Sequence, residues 1–209
     1  MAKLSADLDA FLQDPKRGER ISLLELQEMA GERGFGFFLA LLALPSGVPV
    51  PAAGYSIPFG LLLLFLAVQM VIGLRQPWLP GRVQQWSVPT SFTKAVLEKG
   101  SWVLKRVEVF ARPRWSWICR SQVGHRALAL AIALMAISMM IPIPGTNTLP
   151  AFSIFVIGVG LLDEDGIVAS IGVGLSVLGL LVTSLILTVG FNLLSYLKDF
   201  VLGRIGSGS

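Results

Sequence analysis

A chain of 209 residues has the length of one domain, yet 54% of it is hydrophobic and only 14% is charged, with a net charge of +4. Soluble domains carry about 25% charged residues, so the composition argues against a water-soluble globule and points to lipid. With Cys119 as the single cysteine, an intrachain disulfide, a CxxC redox pair and a thiolate zinc site are excluded.

In chain order, residues 1–34 read as a cytoplasmic region of two short amphipathic helices. The first covers about Ser5 to Gln13, with Leu4, Leu8, Phe11 and Leu12 as its apolar stripe. The second starts at a capping box, Ser22 with Glu25 three residues on. Its Leu23, Leu24, Leu26 and Met29 are expected to face one way, and Gln27, Glu28 and Glu32 to face water. The acidic residues scattered over this stretch, and the lack of an apolar core, do not fit a secretory signal peptide.

Residues 35–74 form a first uncharged segment of 40 residues. As one straight helix at about 1.5 Å per residue it would be nearly twice the roughly 30 Å thickness of a bilayer core. Its middle is broken by Pro45, Pro49, Pro51 and Pro58, with Gly54 among them. Prolines remove amide donors and glycine permits nonhelical backbone, so the helix must stop and restart near Pro58.

Residues 75–126 follow as a connector with ten basic residues against Glu98 and Glu108, a net of +8, and five tryptophans. The positive-inside rule puts it in the cytoplasm, with the indoles at headgroup level and anionic lipid headgroups as possible partners. Nucleic-acid binding could use the same residue mixture but is not expected, since the flanking membrane segments already account for the charge.

Residues 127–162 repeat the first design, broken at Pro142, Pro144, Gly145 and Pro150. Val48-Pro49-Val50-Pro51 corresponds to Ile141-Pro142-Ile143-Pro144, and Pro58 to Pro150, so the two segments read as an internal repeat. Both later prolines suit the first turn of a returning helix. Each break could be a surface hairpin turn, a re-entrant loop within the membrane, or a single crossing by a broken helix. Unpaired backbone groups at membrane depth persist only where protein or a watery cavity satisfies them. Paired Pro/Gly interruptions therefore point to a transporter-like polar site. Its candidate residues are Ser46, Gly54, Tyr55 and Ser56 from the first break and Thr146, Asn147 and Thr148 from the second, although Asn147 could equally cap the following helix. Ionisable candidates sit only at the segment edges: Arg33, Arg75, Arg126, Asp163 and Asp165, with Glu164 and His125 beside them. Edge charges commonly just mark the interface.

Residues 163–205 comprise an acidic turn and a final span, where Gly172 and Ser176 permit close helix approach, either centrally or in a homo-oligomer. Residues 206–209 read as a linker-like tail. The fold class expected is all-α, a polytopic helical membrane protein. With one histidine and no nucleophile–base pair, no catalytic residue, cofactor or metal is expected.

The runs Gly-Glu-Arg-Gly-Phe-Gly (31–36), Leu-Ala-Leu-Pro (42–45), Arg-Gln-Pro-Trp-Leu-Pro (75–80), Pro-Ile-Pro-Gly-Thr-Asn-Thr-Leu-Pro-Ala (142–151) and Gly-Leu-Leu-Asp-Glu-Asp-Gly (160–166) together resemble the ExoD family. That resemblance implies a protein of the bacterial inner membrane connected with exopolysaccharide synthesis. It implies no catalytic or binding residues. Beside it stand two roles read from the residues: a transporter-like one, from the paired breaks, and the alternative of a non-catalytic accessory role in a polysaccharide-assembly complex, exerted through the cytoplasmic helices and the basic connector.

Overall fold

The structure is a computed structural model, and it describes residues 20–47, 56–81, 87–89, 114–141 and 147–206. Expectations for Ser5–Gln13, for Pro49, Pro51, Gly54 and Tyr55, for Pro142, Pro144, Gly145 and Thr146, and for most of the basic connector lie outside these residues.

The described chain is helical apart from one minimal ribbon. Strand β1 (Arg20–Ser22) pairs antiparallel with β2 (Ser87–Pro89), tying the N-terminal region to the connector. Helix α1 (Leu23–Ala30) starts at the complete capping box of Ser22 and Glu25. Its Gln27 does not face water: the side-chain amide donates to the Pro77 carbonyl at 2.9 Å, and Leu24 is exposed instead. The helix thereby meets the loop that follows the first apolar segment, where a buried backbone carbonyl needs a donor.

A 3-10 turn (Gly31–Arg33) leads into α2 (Gly34–Gly47), which continues through Pro45. Helix α3 (Ser56–Ile72) carries Pro58 as its third residue. The short α4 (Ser116–Arg120) precedes α5 (Gln122–Met140), whose N-terminus is capped by the Ser121 hydroxyl accepting from the Gly124 amide at 3.1 Å. Helix α6 (Thr148–Leu162) has Pro150 as its third residue. The last helix, α7 (Gly166–Gly206), runs unbroken for 41 residues, about 60 Å at 1.5 Å per residue.

The helices pack in an interlaced way. Helix α2 lies against α6, and α3 lies against α5, so each apolar segment makes its main contacts with the other rather than within itself. The α2–α6 contact is close enough to require glycine on both sides. A Cβ on Gly36 would sit 2.7 Å from the Gly158 carbonyl oxygen, and one on Gly158 would sit 2.9 Å from the Ala40 amide nitrogen. These pairings run antiparallel, and Gly34 meets Pro77, so the chain reverses across each break. One end of the bundle therefore gathers the starts of α2, α5 and α7 with the ends of α3 and α6. Both breaks leave from the opposite end.

Helices α3 and α6 also end alike. Gly73 has φ 100° and Leu74 N donates to Gln69 O at 3.1 Å; Glu164 has φ 54° and Asp165 N donates to Gly160 O at 2.8 Å. Both are left-handed caps that satisfy the last carbonyls of a helix.

Helix α6 is central, with Ile154, Ile157 and Leu162 among its fully buried side chains. Gly172 of α7 packs on it, where a Cβ would fall 2.8 Å from the Ile157 amide nitrogen, so the Gly172–Ser176 pair serves packing within this chain. Apolar side chains also cover the outside: Leu61, Phe65, Val68 and Ile72 on α3, Leu130, Leu134 and Ile137 on α5, and Leu178, Leu181 and Leu185 on α7 are exposed. Helix α5 and the Gly166–Asn192 stretch of α7 are long and apolar enough to cross a membrane. Helices apolar on every side are stable only in a large core or in lipid.

Candidate functional site

A cluster of charged and polar side chains lies at the end of the bundle away from the breaks. There a cavity of about 790 Å³ is lined by Arg33, Phe35, Gly36, Arg75, Gln76, Cys119, Arg120, His125, Leu161 and Glu164. Each comes from a helix terminus or the loop beside it. Arg33 closes the 3-10 turn before α2, Arg75 and Gln76 follow the cap of α3, Cys119 and Arg120 end α4, His125 stands in the first turn of α5, and Glu164 occupies the left-handed position after α6.

The loop carrying Arg75 is held from two sides. The buried Gln69 accepts from the Trp78 amide at 2.6 Å and donates to the Trp78 carbonyl at 3.1 Å, while Gln27 holds Pro77. Arg120 pairs with Glu164, Nη2 to Oε2 at 2.6 Å and Nε to Oε2 at 3.0 Å. The pair is partly exposed, at 65% and 34% of side-chain area, so it fixes geometry more than it stabilises. Deeper in, His125 is only 8% exposed, and the Phe35 ring meets it edge-on with centroids 5.9 Å apart. Neither ring nitrogen has a hydrogen-bond partner among the described residues. Cys119 is buried beside it, its Sγ 3.7 Å from the Gly160 carbonyl. Burial first, then the charges of Asp165 and Glu164, pushes its thiol up to about 12, so it stays protonated and is no nucleophile.

Of the edge charges named from the sequence, Arg33 and Arg75 thus enter one cavity, whereas Arg126, Asp163 and Asp165 do not line it. Arg126 is exposed on α5, its guanidinium passing over Gly73. Asp165 is buried and caps α7, its Oδ1 accepting from the Ile167 and Val168 amides at 2.9 and 3.2 Å. The acidic turn meets the basic connector through Glu164 and Arg120. Nothing in the sequence marks Cys119, Arg120 and Gln76 as site residues, yet all three line the cavity. The available signal was that Arg33, Arg75, His125 and Glu164 all lie at helix ends that a reversal at each break would bring together.

The described candidates from the breaks lie at the other end. Ser46 is buried, with its hydroxyl lacking a partner among the described residues. Asn147 holds the N-cap position of α6 without a side-chain capping bond, its carbonyl accepting from the Ala151 amide at 3.0 Å. Thr148 and Ser56 open α6 and α3, and Pro45 lies within the last turn of α2. Close to this end Ser138 and Thr183 share a buried hydrogen bond of 3.2 Å between α5 and α7. Among the described residues no group of three or more His, Cys, Asp or Glu is placed to hold a metal ion.

Comparison with known proteins supplies the family. The model described as "Exopolysaccharide synthesis, ExoD" matches residues 4–185. An uncharacterized protein of Synechocystis sp. is 40% identical over 210 aligned residues, covering 99% of each chain. Protein ExoD of Rhizobium meliloti is 31% identical over 159 residues, covering 75% of this chain and 66% of its own. No solved structure is a significant match. The chain belongs to the ExoD family, which is linked to exopolysaccharide synthesis.

Proposed function

We propose that this ExoD-family chain is a polytopic protein of the bacterial inner membrane that serves exopolysaccharide synthesis as a small transporter-like protein. Two broken helix repeats enter from the cytoplasmic face and enclose a polar site at their breaks. One observation carries this: the chain reverses at both breaks, and both breaks lie at the same end of the bundle. The flanking helices are 14 to 19 residues long, or about 21 to 28 Å, shorter than a roughly 30 Å hydrocarbon core. With the charged end and its exposed Trp78, Trp115 and Trp117 at the cytoplasmic headgroups, the breaks rest inside the far leaflet as re-entrant loops. Backbone freed at that depth needs polar partners, and Ser46, Asn147 and Thr148 flank the breaks in sequence. The equal third-residue placement of Pro58 and Pro150, and the interlaced packing, support an internal repeat. No catalytic step, cofactor or metal is part of this function.

In a Cys119→Ser background, single cysteines replacing Ser46 and Thr146 should resist bulky maleimides in intact cells and react partly with small methanethiosulfonates. Asn147→Ala should abolish exopolysaccharide output at unchanged membrane level. Full labelling by bulky reagents from the periplasm, with Asn147→Ala active, would make the breaks surface turns. The function would then pass to an accessory role exerted through the cytoplasmic end.

A further inference from the structure

We infer that the cavity bounded by Arg33, Arg75 and His125 is a binding site for a phosphate ester. The site lies at the opposite end of the bundle from the breaks and does not depend on whether the protein transports anything.

Its lining carries three guanidinium groups and one carboxylate, and that carboxylate is already taken by Arg120. Arg33 and Arg75 have no carboxylate partner among the described residues. They come from separate elements, and the Arg75 loop is held in place by Gln69 and Gln27. Guanidinium groups gathered around a hollow suit an anion with several acceptor oxygens.

The second observation is independent of charge. His125 is more than nine-tenths buried, lines the hollow, and leaves both ring nitrogens unpartnered. The carbonyls of Leu74 and Cys119 lie close without reaching hydrogen-bond geometry. Buried polar atoms in native proteins almost always have a partner, and an oxygen of a bound ester would supply one. Phe35 holds the ring edge-on for that contact.

Size narrows the class. A cavity of about 790 Å³ falls in the range of sites for small organic ligands and is far larger than an inorganic phosphate ion needs. The phosphate therefore arrives attached to something, either a soluble sugar phosphate or the headgroup of an anionic lipid. The site's place among exposed tryptophans is accessible to both.

Calorimetry on the purified full-length protein in a nonionic detergent separates these sources, titrating a hexose 1-phosphate in one arm and a short-chain phosphatidylglycerol in the other. Saturable binding of either is the expected result, and whichever binds names the source. Arg33→Gln with Arg75→Gln should weaken it at least tenfold, while the exposed Arg126→Gln should leave it unchanged. His125→Phe should weaken binding without lowering the unfolding temperature, because it removes two unpartnered buried nitrogens; a purely structural histidine would behave the other way round. Failure of the wild-type protein to bind either probe, or a double variant that is well folded and binds as tightly as wild type, would overturn the proposal.

Discussion

Cys119 shows how a single side chain can be silenced by its surroundings. Alone in the sequence it excludes disulfide and thiolate-metal chemistry, but its reactivity depends on burial beside Gly160 and on the acidic turn. With its thiol raised from 9.0 to about 12, the folded protein should label with maleimide far more slowly at pH 8 than after denaturation, by tenfold or more. The linkage has a definite sign. Between pH 9 and 12 the unfolded chain releases this proton and the folded chain retains it, so the thiol's contribution to folding stability is full below 9 and declines as pH rises. Cys119→Ala should flatten the loss of thermal stability in that window, as read from melting curves at stepped pH. The Arg120–Glu164 pair nearby is too exposed to carry much stability, whereas Asp165, closing two amides of α7 at once, performs a capping role that its place in an acidic run concealed.

Helices rather than single contacts decide which parts of this fold could be read in advance. The capping box at Ser22 was legible because both partners lie within four residues, and both apolar segments were legible from the absence of charge. The β1–β2 ribbon was not, since Arg20–Ser22 must find Ser87–Pro89 across the first apolar segment, and three residues have no period to detect. Gln27 departs from its expected solvent-facing place because its partner is a backbone carbonyl fifty residues away. The charged cavity was half legible: Arg33 and Arg75 stood out as edges, but nothing local in the sequence says that they meet His125. At the α2–α6 crossing Gly36 and Gly158 let two backbones touch. Gly36→Leu or Gly158→Leu should separate these helices, at a cost of about 1–3 kcal/mol or more for overpacking, and should lower both the unfolding temperature and the yield of monodisperse protein in detergent. Gly174→Leu, on the open side of α7, should be tolerated. Equal tolerance at all three glycines would mean that α2 and α6 are not in contact.

At the scale of the whole molecule, assembly follows from the interlacing. If each apolar segment packed chiefly on itself, the halves would be independent hairpins, and loss of one would leave the other intact. Instead α2 finds its main partner in α6 and α3 finds its own in α5, while α7 lies along α6. Helix association within a bilayer depends on close van der Waals packing, because lipid is as apolar as the side chains themselves. A half chain therefore leaves the α2 face built around Gly36, or the α6 face built around Gly158, with no surface shaped to meet it. Cutting after Gly100 keeps β1 and β2 on one fragment and α4 through α7 on the other, so no described element is divided. Fragments 1–100 and 101–209, expressed together with a tag on one, should copurify from membranes at near one-to-one ratio. Each expressed alone should accumulate at a small fraction of that level, and Gly158→Leu in the second fragment should break the complex. Stable accumulation of either fragment by itself, without copurification, would show that the segments fold as separate hairpins and that the interlaced bundle does not hold the protein together.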